Sequence, residues 1–112
     1  MARRVHQPRE NEEFAFILAM ADSPVLAYFY GTWPKAVEAC KAMDPVVGDA
    51  AEEYAGRLTV VKVDITRCPD PVRRYGVTGA PTVVLIKDGE AAATGTGPMD
   101  RTALTRFLDA GL

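Results

Sequence analysis

The chain has 112 residues, enough for one hydrophobic core and too few for two. Its 13 basic and 15 acidic residues leave a net charge of −2 and no block of one sign, which argues against nucleic acid or an anionic membrane surface as partner. With 48% hydrophobic residues and no run near the roughly 18 apolar residues of a membrane span, a soluble protein is expected.

At the N-terminus, Arg3, Arg4 and the apolar run Phe14–Ala21 have the outline of a secretory leader, but Glu10, Glu12 and Glu13 directly precede the run where a leader would be basic. A cytoplasmic, reducing setting is therefore expected, in which two cysteines, Cys40 and Cys68, are too few for a structural disulfide framework. Residues 1–10 read as an arm with a short strand near Val5, and 11–112 as the folded domain.

Asn11 is suited to cap a helix over 12–20, with Glu12 and Glu13 in the first turn where the helix dipole favours negative charge. Asp22-Ser23-Pro24 stops it, and Val25–Tyr30 is a continuous apolar run of strand length, the pattern of a strand covered on both faces. From Pro34 to Ala55, Val37, Cys40, Met43, Val47, Ala50 and Tyr54 recur at the three- and four-residue steps of one helical face; Pro45 falls inside it and predicts a kink. Leu58–Ile65 is a second buried strand and 69–75 a short Pro-started helix or turn. Thr82–Lys87, the turn Asp88-Gly89 and Ala91–Thr94 read as a hairpin. A last helix, capped by Asp100 or Thr102, ends near Ala110 with Gly111 as its stop. This alternation predicts an α/β fold, a mixed sheet of four to five strands with helices on both faces.

Several stretches, in this order and spacing, carry a resemblance: Val25–Trp33, Glu53–Val60, Lys62-Val63-Asp64-Ile65, Tyr75-Gly76-Val77-Thr78-Gly79-Ala80-Pro81-Thr82, Lys87–Glu90 and Gly97. From about Asn11 to Leu112 the chain resembles the thioredoxin family. The resemblance implies a thioredoxin-like fold, a cis peptide bond before Pro81, and an Ala80 backbone free to pair with an extended peptide. It also places Trp33 on the surface of the family's active site, although Trp33, Tyr30 and Tyr75 read equally as core aromatics.

The family's redox centre is a Cys-Gly-Pro-Cys motif at a helix N-terminus, where the first thiolate attacks and the second cysteine resolves. Here Pro34 follows Trp33, and Pro45 lies three residues farther from the tryptophan than in the family. If the insertion falls just after Trp33, Cys40-Lys41 matches the second cysteine and its lysine, and Val37 stands for the nucleophile. If it falls later, Pro34 and Val37 occupy both sites. The family's buried aspartate, five residues before the tryptophan, is Tyr28, a poor base at neutral pH with its ordinary pKa of about 10. Lys62 matches the family's lysine beside that acid and is placed to bond Tyr28 instead.

Three readings of Cys40 remain open. It is a buried helix thiol, or a thiol kept ionisable by Lys35, Lys41 and the helix start and capable of single-cysteine exchange, or one half of a redox switch with Cys68. His6, the only histidine, falls in a segment expected to fray, and no metal or other cofactor is implied. Asp64 and Thr66 end a strand, with Thr66 placed to bond the Trp33 indole. The function expected is a thioredoxin-like binding module, adaptor or chaperone-like, that holds a protein or extended peptide in a groove of Trp33, Gly79, Ala80, Pro81 and Gly97. The alternative is thiol-disulfide exchange through Cys40.

Overall fold

The computed structural model describes residues 5–112; residues 1–4 of the expected arm lie outside the described residues. The elements are β1 (Val5–His6), α1 (Asn11–Met20), β2 (Val25–Tyr30), α2 (Pro34–Glu53), β3 (Thr59–Asp64), α3 (Pro69–Arg74), β4 (Thr82–Lys87), β5 (Glu90–Thr96) and α4 (Arg101–Gly111). They form one five-stranded sheet in the order β1-β3-β2-β4-β5. β1 and β2 run parallel to β3, whereas β4 is antiparallel to both β2 and β5.

Period-two alternation in the apolar strands sends side chains to two separate cores. Leu26, Tyr28, Val60, Val83 and Leu85 meet Met43 and Val47 of α2 and Leu104 and Leu108 of α4 on one face. Val25, Ala27, Phe29, Val61, Val63, Val84 and Ile86 meet Phe14 of α1, Cys68 just before α3 and Val72 of α3 on the other. Burial of both faces is why β2 and β4 read as unbroken apolar runs rather than alternating ones.

Local rules account for most boundaries; three expectations need correction, and one pair of alternatives is resolved. Asn11 does not cap α1: Glu10 holds that position without a side-chain bond, and Asn11 Oδ1 instead accepts from the Asp70 amide at 3.0 Å, joining α1 to α3. Asp100, not Thr102, caps α4, accepting from the Ala103 amide at 2.8 Å. Gly111 is the last residue of α4 rather than its stop. A side chain there would collide with Leu85, so the glycine permits helix and sheet to approach closely. His6 is exposed but held in β1, paired with Val61. The hairpin turn is as the sequence indicates: Asp88 and Gly89 both take positive φ, 53° and 80°, the backbone that a two-residue hairpin turn requires.

α2 runs unbroken for 20 residues across Pro45. Pro34 sits in its first turn, where a missing amide proton costs nothing. The amides of Ala36 and Val37 both close onto the Trp33 carbonyl at 2.9 Å. The helix thus begins directly after the tryptophan.

Candidate functional site

The C-terminal ends of β1, β3 and β2 lie at one end of the sheet with the start of β4 and the end of β5. Most of the residues singled out from the sequence collect there. The Ala80–Pro81 peptide bond is cis. The Pro81 carbonyl accepts from the Gly97 amide at 2.9 Å, and buried Thr82 donates its hydroxyl to the Gly79 carbonyl at 2.7 Å. Gly97 sits at φ +84°, a left-handed backbone that favours glycine. Gly79 and Gly97 face open space at their Cα atoms. Among the described residues, the Ala80 amide and carbonyl form no hydrogen bond, so this stretch offers a donor and an acceptor to a visiting strand.

Trp33, at the end of the β2 loop, is 38% exposed. Its ring lies against Gly31 so closely that any side chain at 31 would run into the indole. Thr66 does not bond the indole: its hydroxyl and amide both donate to Asp64 Oδ1, at 2.6 and 2.9 Å. Of the two other aromatics, Tyr75 donates its hydroxyl to the Gly89 carbonyl at 3.0 Å, away from this end, and Tyr30 closes β2 at this end, its hydroxyl accepting from Gln7 Nε2 at 3.2 Å.

Cys40 is placed differently. It is 4% exposed, seven residues into α2 counting from Pro34, and far from the first turn where free amides would stabilise a thiolate. Val37, half-buried on the preceding turn, has its amide committed to Trp33. Both cysteines are free thiols. Cys68 is buried in the core under α1 and α3, whereas Cys40 lies on α2, across the sheet, so the fold does not bring the suggested switch pair together. Burial, then the carboxylates of Asp64 and Glu13, push the Cys68 thiol pKa up.

Sequence reasoning missed Asp44. The expected direct Tyr28–Lys62 bond does not form; Asp44 stands between them. The Tyr28 hydroxyl lies 2.9 Å from the Cys40 carbonyl and 2.9 Å from Asp44 Oδ1, while Lys62 Nζ pairs with Asp44 Oδ2 at 3.1 Å. An acid from the helix has joined the tyrosine and lysine contributed by the two strands. Two signals pointed to it: Asp44 follows Cys40 by one helical turn, and a buried phenol needs a polar partner. Burial first, then the nearby carboxylate, raise the Tyr28 pKa, so its hydroxyl remains a neutral hydrogen-bonding group.

Among the described residues, no group of His, Cys, Asp or Glu is arranged to hold a metal, and no helix is long and apolar enough to cross a membrane. The Thioredoxin family model matches residues 5–110. Thioredoxin C-2 of Corynebacterium nephridii is 36% identical over 99 residues, covering 88% of this chain and 89% of the relative. Thioredoxin of Pseudomonas aeruginosa is 39% identical over 92 residues, 82% of each chain, and thioredoxin of Acidithiobacillus ferridurans is 34% identical over 102 residues, 91% and 92%. Together with the sheet order and the Gly79–Thr82 loop, matches over nearly the full length mean that the chain belongs to the thioredoxin family.

Proposed function

We propose that this member of the family binds an extended polypeptide segment in the groove of Trp33, Gly79, Ala80, Pro81 and Gly97, and does so without dithiol exchange. The observation that carries this reading is the unpaired Ala80 backbone at the same end of the sheet as an exposed tryptophan. An extended chain gains main-chain hydrogen bonds from such an edge, and an aromatic with a polar tip supplies a contact anchor. The chemistry that would compete with binding is weakly supported: the two cysteines are 28 positions apart in sequence rather than three, and Cys40 is buried. A client held without a covalent step fits an adaptor or chaperone-like role.

Full-length relatives named thioredoxin favour a second reading, exchange through one cysteine. Cys40 Sγ, as thiolate, would attack a client disulfide, forming a mixed disulfide and releasing the client's other sulfur as thiolate. An external thiol would then have to release the product.

The two readings diverge in one assay set. Peptides of extended, uncharged sequence are titrated against the protein while fluorescence of Trp33, the chain's single tryptophan, is followed. In parallel, insulin reduction by dithiothreitol is timed. The binding reading expects saturable fluorescence changes, loss of about tenfold or more in affinity in W33A as read by titration calorimetry, retention in C40S, and no acceleration of insulin reduction. Acceleration abolished by C40S would establish the exchange reading instead.

A further inference from the structure

Beside the groove, at the same end of the sheet, lies a polar cavity of about 520 Å³ lined by Gln7, Pro8, Arg9, Tyr30, Asp64 and Arg67. It is built from the ends of β1, β3 and β2. Its polar groups are mainly donors. Gln7 Nε2 donates to the Tyr30 hydroxyl at 3.2 Å, and that hydroxyl's own proton has no acceptor among the described residues. Lys62 Nζ, paired with Asp44, sits 4.5 Å from the centre of the Tyr30 ring and helps hold it in place. Arg9 makes no ion pair among the described residues, and Arg67 reaches Asp64 only at 4.0 Å with two-thirds of its side chain exposed. The one carboxylate in the lining, Asp64, accepts both bonds from Thr66 on Oδ1, and its Oδ2 faces Arg67 at 4.0 Å, leaving the Arg67 guanidinium only loosely engaged.

Two guanidinium groups and a free phenol proton around one cavity call for an anionic acceptor. A planar carboxylate suits both, because guanidinium presents paired donors at matching spacing. We propose that this cavity is a side-chain subsite for a glutamate or aspartate of the bound segment, so that the groove selects acidic extended peptides. The proposal rests on the groove reading above and adds the substrate class. β3, over which the cavity is centred, is two strands from β4; at about 4.8 Å per strand that is roughly 10 Å, or about three residues of extended chain from the residue paired at Ala80. A segment running from Pro81 across Trp33 towards β1 would therefore bring its third or fourth neighbour over Arg9 and Arg67.

The test uses blocked peptides of about ten residues made of Ser, Ala and Val, with one Glu moved through every position, and a matched series carrying Lys, read by Trp33 fluorescence. The expected result is one preferred register in which the Glu peptide binds about tenfold or more tighter than its Lys counterpart at low salt, with the gap shrinking as salt screens it. The double variant R9E/R67E should invert the Glu-to-Lys ratio, and Y30F should narrow it. Folding of each variant is checked by circular dichroism, and the double reversal R73E/K87E, with both positions outside the cavity lining, serves as a charge-matched control whose ratio stays that of the parent. Equal binding of the two series at all positions would overturn the subsite and leave the groove reading standing. Absence of binding by every peptide overturns both. Binding of inorganic phosphate with no Glu register among peptides that do bind makes the cavity a small-anion site and also overturns the proposal.

Discussion

The acid at the centre of this site reaches its position from a helix. Asp44 accepts from a buried tyrosine and an ammonium that come from two different strands, and so ties α2 to β2 and β3 at the end of the sheet where the groove lies. Removing the carboxylate leaves the part-buried Lys62 ammonium without its ion partner and the buried Tyr28 hydroxyl with the Cys40 carbonyl alone, and a buried group stripped of its partner costs more than the net value of the bond. D44A should therefore destabilise by about 1–3 kcal/mol, seen as a lower urea midpoint at unchanged slope. D44N keeps one acceptor and should lose less. A D44A midpoint equal to the parent's would mean that the network is ornamental. At this scale the sequence was informative about identities and poor about partners: Trp33, Tyr28, Lys62 and Pro81 were each legible, but which side chain stands between Tyr28 and Lys62 depends on the rotation of α2. That rotation is set by its packing, with Met43 and Val47 directed into the core.

At the scale of elements, the start of α2 governs the chemistry. The sequence admits two placements of the three-residue insertion, and the structure has one continuous helix from Pro34. A helix that starts at Pro34 has its free N-terminal amides before Val37 and Cys40, and the stabilisation of anions falls off within the first turn. V37C restores the Cys-x-x-Cys spacing with Cys40, yet the amide of residue 37 is spent on the Trp33 carbonyl. The thiol introduced by V37C should accordingly titrate within about one unit of the ordinary cysteine value near 8.5, measured by the pH dependence of alkylation. A strongly acidic thiol at 37 would show that the helix start at Pro34 does not disarm the site. The elements themselves were readable in order and type because each carries its own punctuation: Ser23-Pro24, Pro34, Pro69 and Asp88-Gly89. The α1 cap was misread because Asn11 can bond either its own helix or a neighbour, and only the packing of α3 beside it decides for Asp70.

For the whole molecule, the titrating groups with raised pKa values give stability a defined alkaline limit. Burial raises Tyr28 from 10.0 and Cys68 from 9.0, and Tyr54 and Tyr75 shift the same way, also chiefly through burial. Below those ordinary values the groups are protonated in both folded and unfolded chains, and their contribution is fully present. As pH climbs past them, the unfolded chain gives up protons that the native state retains, so unfolding becomes progressively easier. The urea midpoint should fall from about pH 9 upward, and Y28F should flatten the part of that fall above about pH 10. A midpoint that holds steady to about pH 10.5 would contradict the burial of these groups. What the sequence determined by itself is the scaffold: apolar runs bounded by turn residues specify strands buried on both faces, and the spacing of Trp33, Pro81 and Gly97 marks one end of the sheet. What only the tertiary structure decided is which polar groups meet there. The burial of Cys40, the arrival of Asp44 between Tyr28 and Lys62, and the gathering of Gln7, Arg9, Tyr30 and Arg67 around one cavity join residues as much as 60 positions apart. Local propensity fixes each element's length and buried face, but side chains from different elements meet only when two cores, one on each side of the sheet, close at the same time.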